Sequence, residues 1–486
     1  MIDVCLLLEG SYPYVAGGVS TWVHQLISAM TDIRFGIVTI SPHADPTRQA
    51  KYELPPHVLY LREIFLHDYQ LANTRPRNPR PADFAQLATS YTSLLGGQSA
   101  EFATLVSMLQ GPTACFDVPS IFQARAMWQL LTTLYEQHAP QISFLDFFWT
   151  WRSTHLPLVH IAQTQLPRAK IYHAISTGYA GLLGAIARVQ QPAKFFLTEH
   201  GIYTFERLLE ISQAQWIYEA TQRDWRAPRE LSFFKRWWVQ MFSIMSRLAY
   251  THADQIFTLY EGNRTRQILE GADPHKISII PNGLNLADFQ AIQRSRRATP
   301  HIGLIGRVVS IKDVKTFIQA ARQVLITMPE AHFYVIGPLD EETNYCAECR
   351  QLVDALGLES QLTFTDRVDP KVYYQFLDVV VLTSLSEAQP YVILEANVVG
   401  IPVVATDVGA CRELLEGRDA ADRALGASGL LTEVANPHAT AAAIVELLAN
   451  TSRYAQHSHA GRTRVARYYN QDDLLSRYLN AYEQNV

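Results

Sequence analysis

The chain has 486 residues, 48% of them hydrophobic and 18% charged, with a formal net charge of −5. That length is too great for one ordinary core and predicts two or three domains, and the slight negative charge gives no electrostatic footprint for nucleic acid. Five cysteines make no disulfide framework in a chain of this size, which fits a reducing, cytosolic compartment.

The N-terminal stretch MIDVCLLLEGSYPY has no positive n-region and only a short apolar run, so it reads as a first strand and not as a signal peptide. No run of about 18 apolar residues predicts a transmembrane helix. Ile2 to Leu8 has the continuous apolar character of a strand buried on both faces of a parallel sheet. A loop with Gly17 and Gly18 follows, then a helix from Ser20 to Met30 with apolar residues at helical spacing. Strand, glycine-rich loop and helix form the unit that lets a ligand approach backbone, although the spacing is not that of a dinucleotide fingerprint.

Phe35 to Ile40 is a second strand. From 42 to 140 the pattern is irregular, with Pro55-Pro56 and the arginine- and proline-rich run Arg75 to Pro81. Helical stretches at Ala82–Leu95, Phe102–Leu109 and Pro119–Gln137 mark this region as an insertion. Sheet character returns at Ile171–Ile175 and Lys194–Thr198. His173 and His200 fall at strand ends, where open parallel sheets hold ligands. A buried hydrogen-bonding role is the plainer reading for His173, and strand-end position favours function for His200. The helix Ser232–Ala253 is rich in aromatics. Burial under neighbouring helices explains it best, with a partner or membrane-surface patch as the sharper alternative.

Gln255–Leu259 is a further strand, and Pro281-Asn282-Gly283 is a turn. Gln290–Pro300 reads as an interdomain linker. A second α/β alternation then begins, with strands at His301–Ile305, His332–Ile336, Leu362–Phe364, Val379–Leu382 and Val403–Ala405. Such alternation predicts parallel sheets with helices on both faces. Cys346 and Cys349 lack two further ligands at zinc spacing and read as reduced thiols on a helix.

Ser384 to Glu413 carries the densest chemistry. Glu387 precedes a helix expected over Tyr391–Val399, Pro390 suits its first turn, Gly400 stops it, and Glu395 lies just over one turn inside. Backbone N–H groups at such a helix start attract phosphate. Two carboxylates there are placed to accept hydrogen bonds from sugar and ribose hydroxyls. The plainer alternative is a surface helix with two solvated glutamates. Arg307, after the first strand of the second domain, and Lys312 would supply cations for a diphosphate, whose leaving-group charge fixed cations stabilise.

Ile280–Phe289, Gly306-Arg307 with Lys312-Asp313, and Glu387-x7-Glu395 followed by Gly400–Gly409 together resemble the retaining glycosyltransferases of the large GT-B family that includes glycogen and sucrose-phosphate synthases. Gly17-Gly18-Val19 and Glu199-His200 match that family's N-domain loops. The N-terminal residues LLLEGSYPYVAGGVSTWVHQLI and the insertion resemble more narrowly the cytosolic glycosyltransferases of bacterial Pel exopolysaccharide systems.

The resemblance implies an α/β GT-B fold, with two doubly wound Rossmann-like domains facing across a cleft. The domains expected are an N-terminal acceptor-side domain over 1–285, a nucleotide-sugar domain over 286–465, and a C-terminal helix over 466–486 crossing back. It implies that Arg307 and Lys312 hold the diphosphate, Glu387 the transferred sugar and Glu395 the ribose. Backbone from Gln389 through Pro390 and Tyr391 to Val392 would touch sugar and phosphate. Gly17 and Gly18 would border the phosphates, Arg367 and Val368 the base, and His200 the reacting centre. Glu387, His200, Arg307 and Lys312 are thus the expected catalytic residues.

The donor expected is a UDP-sugar, with no catalytic metal and no other cofactor. The acceptor is a growing exopolysaccharide, and the site of action is the cytoplasmic side of the inner membrane beside polysaccharide synthase and export proteins. Ala388-Gln389 departs from the family's usual Gly-Phe, and the polar reach of Gln389 leaves glucose and N-acetylhexosamine both open. A GT-B sugar-nucleotide epimerase, a phosphorylase and a non-catalytic scaffold are the competing readings.

Overall fold

Every residue from Ile2 to Leu8 of strand β1 (Ile2–Glu9) is buried, because the strand lies inside a parallel sheet covered on both faces. In this computed structural model the described residues are 1–15, 17–68, 77–214, 231–295 and 297–486. They divide into two units: Met1–Thr258 with Arg264–Ser278 and Leu479–Val486, and Leu259–Asn263 with Ile279–Tyr478.

The first sheet contains β1, β2 (Phe35–Ser41), β3 (Val58–Phe65), β4 (Ala169–Ala174), β5 (Lys194–Glu199), β6 (Gln255–Thr258) and β7 (Ile277–Ile279). Their order is β3-β2-β1-β4-β5-β6-β7. The second contains β8 (His301–Ile305), β9 (His332–Ile336), β10 (Leu362–Phe364), β11 (Val379–Leu382), β12 (Val403–Thr406) and β13 (Gly429–Thr432), in the order β10-β9-β8-β11-β12-β13. Each sheet thus starts in the middle, runs to one edge, and returns to the other side of its first strand. That is the doubly wound, Rossmann-like arrangement expected from the alternating pattern.

Three features differ from expectation. The irregular region contains β3, a parallel edge strand on β2 that leaves Leu59 and Leu61 exposed, so its apolar residues gave no buried-strand signal. The helix expected over 119–137 is two, Val118–Gln123 and Arg125–His138, parted where Ala124 turns extended. The C-terminal helix expected over 466–486 falls instead on two, the end of Thr451–Tyr468 and the whole of Gln471–Glu483. The break has a long-range cause: Leu284 N–H donates to Tyr469 O (2.8 Å), and Gln471 N–H donates to Leu284 O (3.1 Å).

Residues Arg75 and Pro76 of the arginine-rich run lie outside the described residues. The supposed linker Gln290–Pro300 is pinned to the second unit by Arg294, which donates to Gly400 O (3.1 Å) and Leu377 O (2.5 Å). The aromatic helix Phe233–His252 buries Phe234, Trp237, Met241 and Phe242 against the helices of the first unit, and the Trp237 indole donates to Thr154 Oγ1 (3.2 Å). Its aromatic character is therefore core. Cys346 and Cys349 are buried free thiols. Among the described residues no helix is long and apolar enough to cross a membrane.

Candidate functional site

In the second sheet, β8 and β11 are neighbours although β9 and β10 lie between them in sequence. The chain departs in opposite directions on either side of this pair, and the crevice outside the carboxyl ends of such strands is where open α/β sheets hold ligands. After β8 come Gly306, Arg307 and the short turn Ser310–Lys312. After β11 come Thr383, Ser384 and the loop to the helix Tyr391–Val398.

Lys312 and Glu387 meet there. The Lys312 ammonium donates to Glu387 Oε1 in an ion pair whose side chains are 20% and 11% exposed. Ser384 Oγ donates to the same oxygen at 2.6 Å. Both backbones are tied down. Thr383 Oγ1 donates to the carbonyls of Lys312 (3.0 Å) and Asp313 (2.9 Å), and Leu385 N–H donates to Ile311 O (2.8 Å). Asp313, with φ of 44°, caps the next helix through Thr316. Lys312 is therefore presented by a rigid turn. Gly409, with φ of 55°, lies against the loop from the other side, where an added Cβ would fall 2.1 Å from Glu387 O. Only glycine fits that position.

Arg307 is not part of this cluster. It is an exposed side chain paired with Glu341 at 2.6 Å. Arg367 is likewise exposed and pairs with Asp340 at 3.0 Å, beside the exposed Val368. Glu342 accepts from Ser310 N–H at 3.0 Å. Three consecutive acids after β9 thus hold the groups on both sides of them. That arrangement was not apparent in the sequence, where Asp340, Glu341 and Glu342 resemble a solvated loop.

Pro390 sits one position before the helix, as its N-cap, and Tyr391 and Val392 begin the helix half-buried. Glu395 accepts a hydrogen bond from Tyr374 OH at 2.7 Å. Burial raises its carboxyl pKa, while Tyr374 and nearby Lys371 pull it down. The buried Gln389 corrects an expectation. Its side chain does not reach outward for a sugar: Oε1 accepts from Asn282 N–H at 2.7 Å, and Nε2 donates to Asn282 O at 3.3 Å. An amide that completes both hydrogen bonds of a turn backbone is structural.

The first unit holds the remaining expected residues. Gly17 and Gly18 lie exposed as the N-cap and first residue of the helix Gly18–Ala29, and among the described residues a Cβ at either would meet nothing within 4 Å. Among the described residues no steric demand requires glycine there. His200 follows β5 and contacts Trp22 edge-on with ring centroids 4.7 Å apart. Burial lowers its pKa to about 4, so its imidazole is neutral at pH 7.

His173 is a core residue, bonded to Tyr482 OH (2.6 Å) and Thr198 Oγ1 (2.8 Å). Beside His200, Glu199 is buried and accepts from Tyr203 N–H, Thr177 Oγ1, Tyr250 OH and Gln267 Nε2 at 2.6–3.2 Å. Burial pushes its pKa up to about 7. It fastens four segments next to His200, and in the sequence only its position at a strand end hints at this.

Residues 2–275 match the family model described as "Domain of unknown function (DUF3492)", and residues 299–450 match "Glycosyl transferases group 1". A D-inositol 3-phosphate glycosyltransferase of Corynebacterium urealyticum is 30% identical over 220 residues, covering 41% of this chain and 50% of the relative. The chain spans about half the length of the curated relatives it matches. Among solved structures, sucrose-phosphate synthase from Thermosynechococcus elongatus superposes with a TM-score of 0.59 at 19% identity, covering 99% of this chain and 98% of that one. HepE of Anabaena, in complex with UDP, gives 0.60 at 16% identity, with 99% and 100% covered. The fold is that of the GT-B glycosyltransferases.

Proposed function

The chain belongs to the family described as "Domain of unknown function (DUF3492)", joined to a "Glycosyl transferases group 1" segment, and on that premise we propose that it is a retaining glycosyltransferase using a UDP-sugar donor. The observation that carries this reading is the Lys312–Glu387–Ser384 cluster at the strand crossover of the second sheet. A glycosyl donor needs a cation for its diphosphate and a carboxylate for its sugar hydroxyls, and this pair provides both. The HepE structures with UDP and with UDP-glucose support the choice of donor.

In the proposed reaction, the bond between the sugar's anomeric carbon and the β-phosphate oxygen breaks. The acceptor hydroxyl oxygen bonds to that carbon on the same face, and its proton passes to the departing phosphate oxygen. Lys312 stabilises the charge that grows on the diphosphate, and Glu387 orients the sugar. Arg307 contributes once it exchanges Glu341 for phosphate. With cations supplied by the protein, metal independence is part of the proposal. His200, Gly17, Gly18, Arg367 and Glu395 keep the roles implied by the family resemblance.

The acceptor proposed is a growing exopolysaccharide of the Pel type at the cytoplasmic face of the inner membrane, a reading supported by the N-terminal segment's likeness to Pel glycosyltransferases. Product analysis tests the whole. Purified protein incubated with UDP-glucose or UDP-N-acetylglucosamine and oligosaccharide acceptors should yield a lengthened glycan, with undiminished yield in EDTA. An isomerised sugar nucleotide, or no product with any donor, overturns the proposal.

A further inference from the structure

Between the helices of the first unit lies a partly open cavity of about 130 Å³ with an almost wholly apolar lining that includes Leu87, Leu94, Val106, Val159 and Met245. Two of its polar members are partnered, Tyr91 OH with His155 Nε2 at 2.6 Å and His155 Nδ1 with Trp151 O at 2.7 Å, while the buried Trp151 indole N–H makes no hydrogen bond among the described residues. Such a cavity stays dry and admits apolar molecules, as a designed void of about 150 Å³ lined by Leu, Ile and Phe does for benzene.

Ile121, Met127 and Trp151 line this cavity and also a surface groove of about 260 Å³, whose outer wall is Phe122, Trp128 and Phe148. The groove opens onto an aromatic surface. Trp128 is 50% exposed, Leu145 62% and Trp149 57%, and the Trp128 ring lies 5.3 Å from Phe144 and 5.8 Å from Phe148. Two arginines rim it. Arg125 lines the groove, and Arg152 lies over the rings of Phe122 and Trp149 at 5.8 and 5.9 Å. Among the described residues neither arginine is in an ion pair.

We propose that this layer is a lipid site, in which one acyl chain of an anionic bilayer leaflet enters the groove beside Trp128 and occupies the cavity behind it. The lipid phosphate lies against Arg125 and Arg152. Half-exposed tryptophans beside arginines suit the bilayer interface, where amphipathic rings and cations both find partners. The cavity behind the shared wall selects the occupant: a partner helix would cover the groove and leave the void empty, whereas an acyl chain that passes Met127 is thin enough to fill both. Met127, unbranched and adaptable, stands between the two spaces as a gate.

The test is flotation of the full chain with vesicles, independent of any glycosyl transfer. Binding is expected to phosphatidylcholine vesicles containing about one-third phosphatidylglycerol and at least about tenfold less to pure phosphatidylcholine. Phosphatidylglycerol brominated deep in its chains should quench tryptophan fluorescence. Trp128→Ser with Trp149→Ser should abolish flotation, and Val159→Phe, which fills the cavity, should remove the deep quenching without lowering the melting temperature. Should Val159→Phe unfold, Arg125→Glu with Arg152→Glu, which leaves the core intact, decides: loss of flotation is expected. No flotation on anionic vesicles, equal binding to neutral ones, or undiminished deep quenching in a folded Val159→Phe protein overturns the proposal.

Discussion

Lys312 and Glu387, 75 residues apart in the chain, form a hydrogen-bonded ion pair at the crossover of the second sheet. The two side chains are largely shielded from water, so removing one leaves the other's charge with too few partners. Lys312→Ala should destabilise the second unit by roughly 1–3 kcal/mol, and it should eliminate most of the rise in melting temperature that UDP produces. Glu387→Gln keeps the shape and loses the charge. Transfer should fall by at least about 100-fold while the UDP-induced shift persists. Near-normal turnover in that variant would remove Glu387 from the mechanism.

Gln389 separates a structural residue from a specificity residue. Its two hydrogen bonds to Asn282 join the loop before the helix Tyr391–Val398 to the Pro-Asn-Gly turn. Gln389→Leu should cost about 2–3 kcal/mol, the sum of two net hydrogen bonds and the unpaired backbone groups left behind. In denaturant titration this appears as a lower midpoint. The ratio of turnover with glucosyl and N-acetylglucosaminyl donors should not move, and a changed ratio would return Gln389 to the sugar pocket.

Gly409→Ala combines a positive φ with a backbone contact too short for a methyl group. The carbonyls of Glu387 and Ala388 must shift, so the ion pair above them shifts too. We expect a loss of at least about 3 kcal/mol and transfer activity below detection, checked by unfolding midpoint and product assay. An active, stable Gly409→Ala protein would show that the loop is softer than its contacts indicate.

The acid response of the first unit follows from its buried imidazoles. Burial lowers the His173 pKa to about 3 from an ordinary 6.5. Below pH 6.5 the unfolded chain takes up a proton that the folded chain refuses. Stability therefore falls as pH drops from about 6 to 4, by about 1.4 kcal/mol per pH unit for this one residue. His173→Gln should flatten the pH dependence of unfolding by that slope and lower proton uptake on unfolding at pH 5 by about one. An unchanged slope would place the acid sensitivity elsewhere.

The buried runs of β1, β8 and β11 were legible because strands covered on both faces need uninterrupted apolar residues. The positions of Glu387 before a helix and of Lys312 after a strand were legible because a helix start and a strand end are local features. What escaped were pairings made across distance. Gln389 looks like an outward polar residue until Asn282, 107 positions away, is seen to take both ends of its amide. Arg307 looks like a free phosphate ligand until Glu341 is found beside it. The break at Asn470 likewise depends on Leu284, and no periodicity within the helix itself announces it.

The run Asp340–Glu342 makes the rim beside Lys312 a place of exchange. Arg307 and Arg367 each already face a carboxylate, as does Lys312, so an arriving anion finds no idle charge and must displace a resident one. A lone phosphate would trade one ionic partner for another with little net gain. A ligand that carries a base, a ribose and a sugar along with its phosphates brings further contacts to the same exchange. On the proposed reading, this rim would favour a large nucleotide-sugar donor over a small anion.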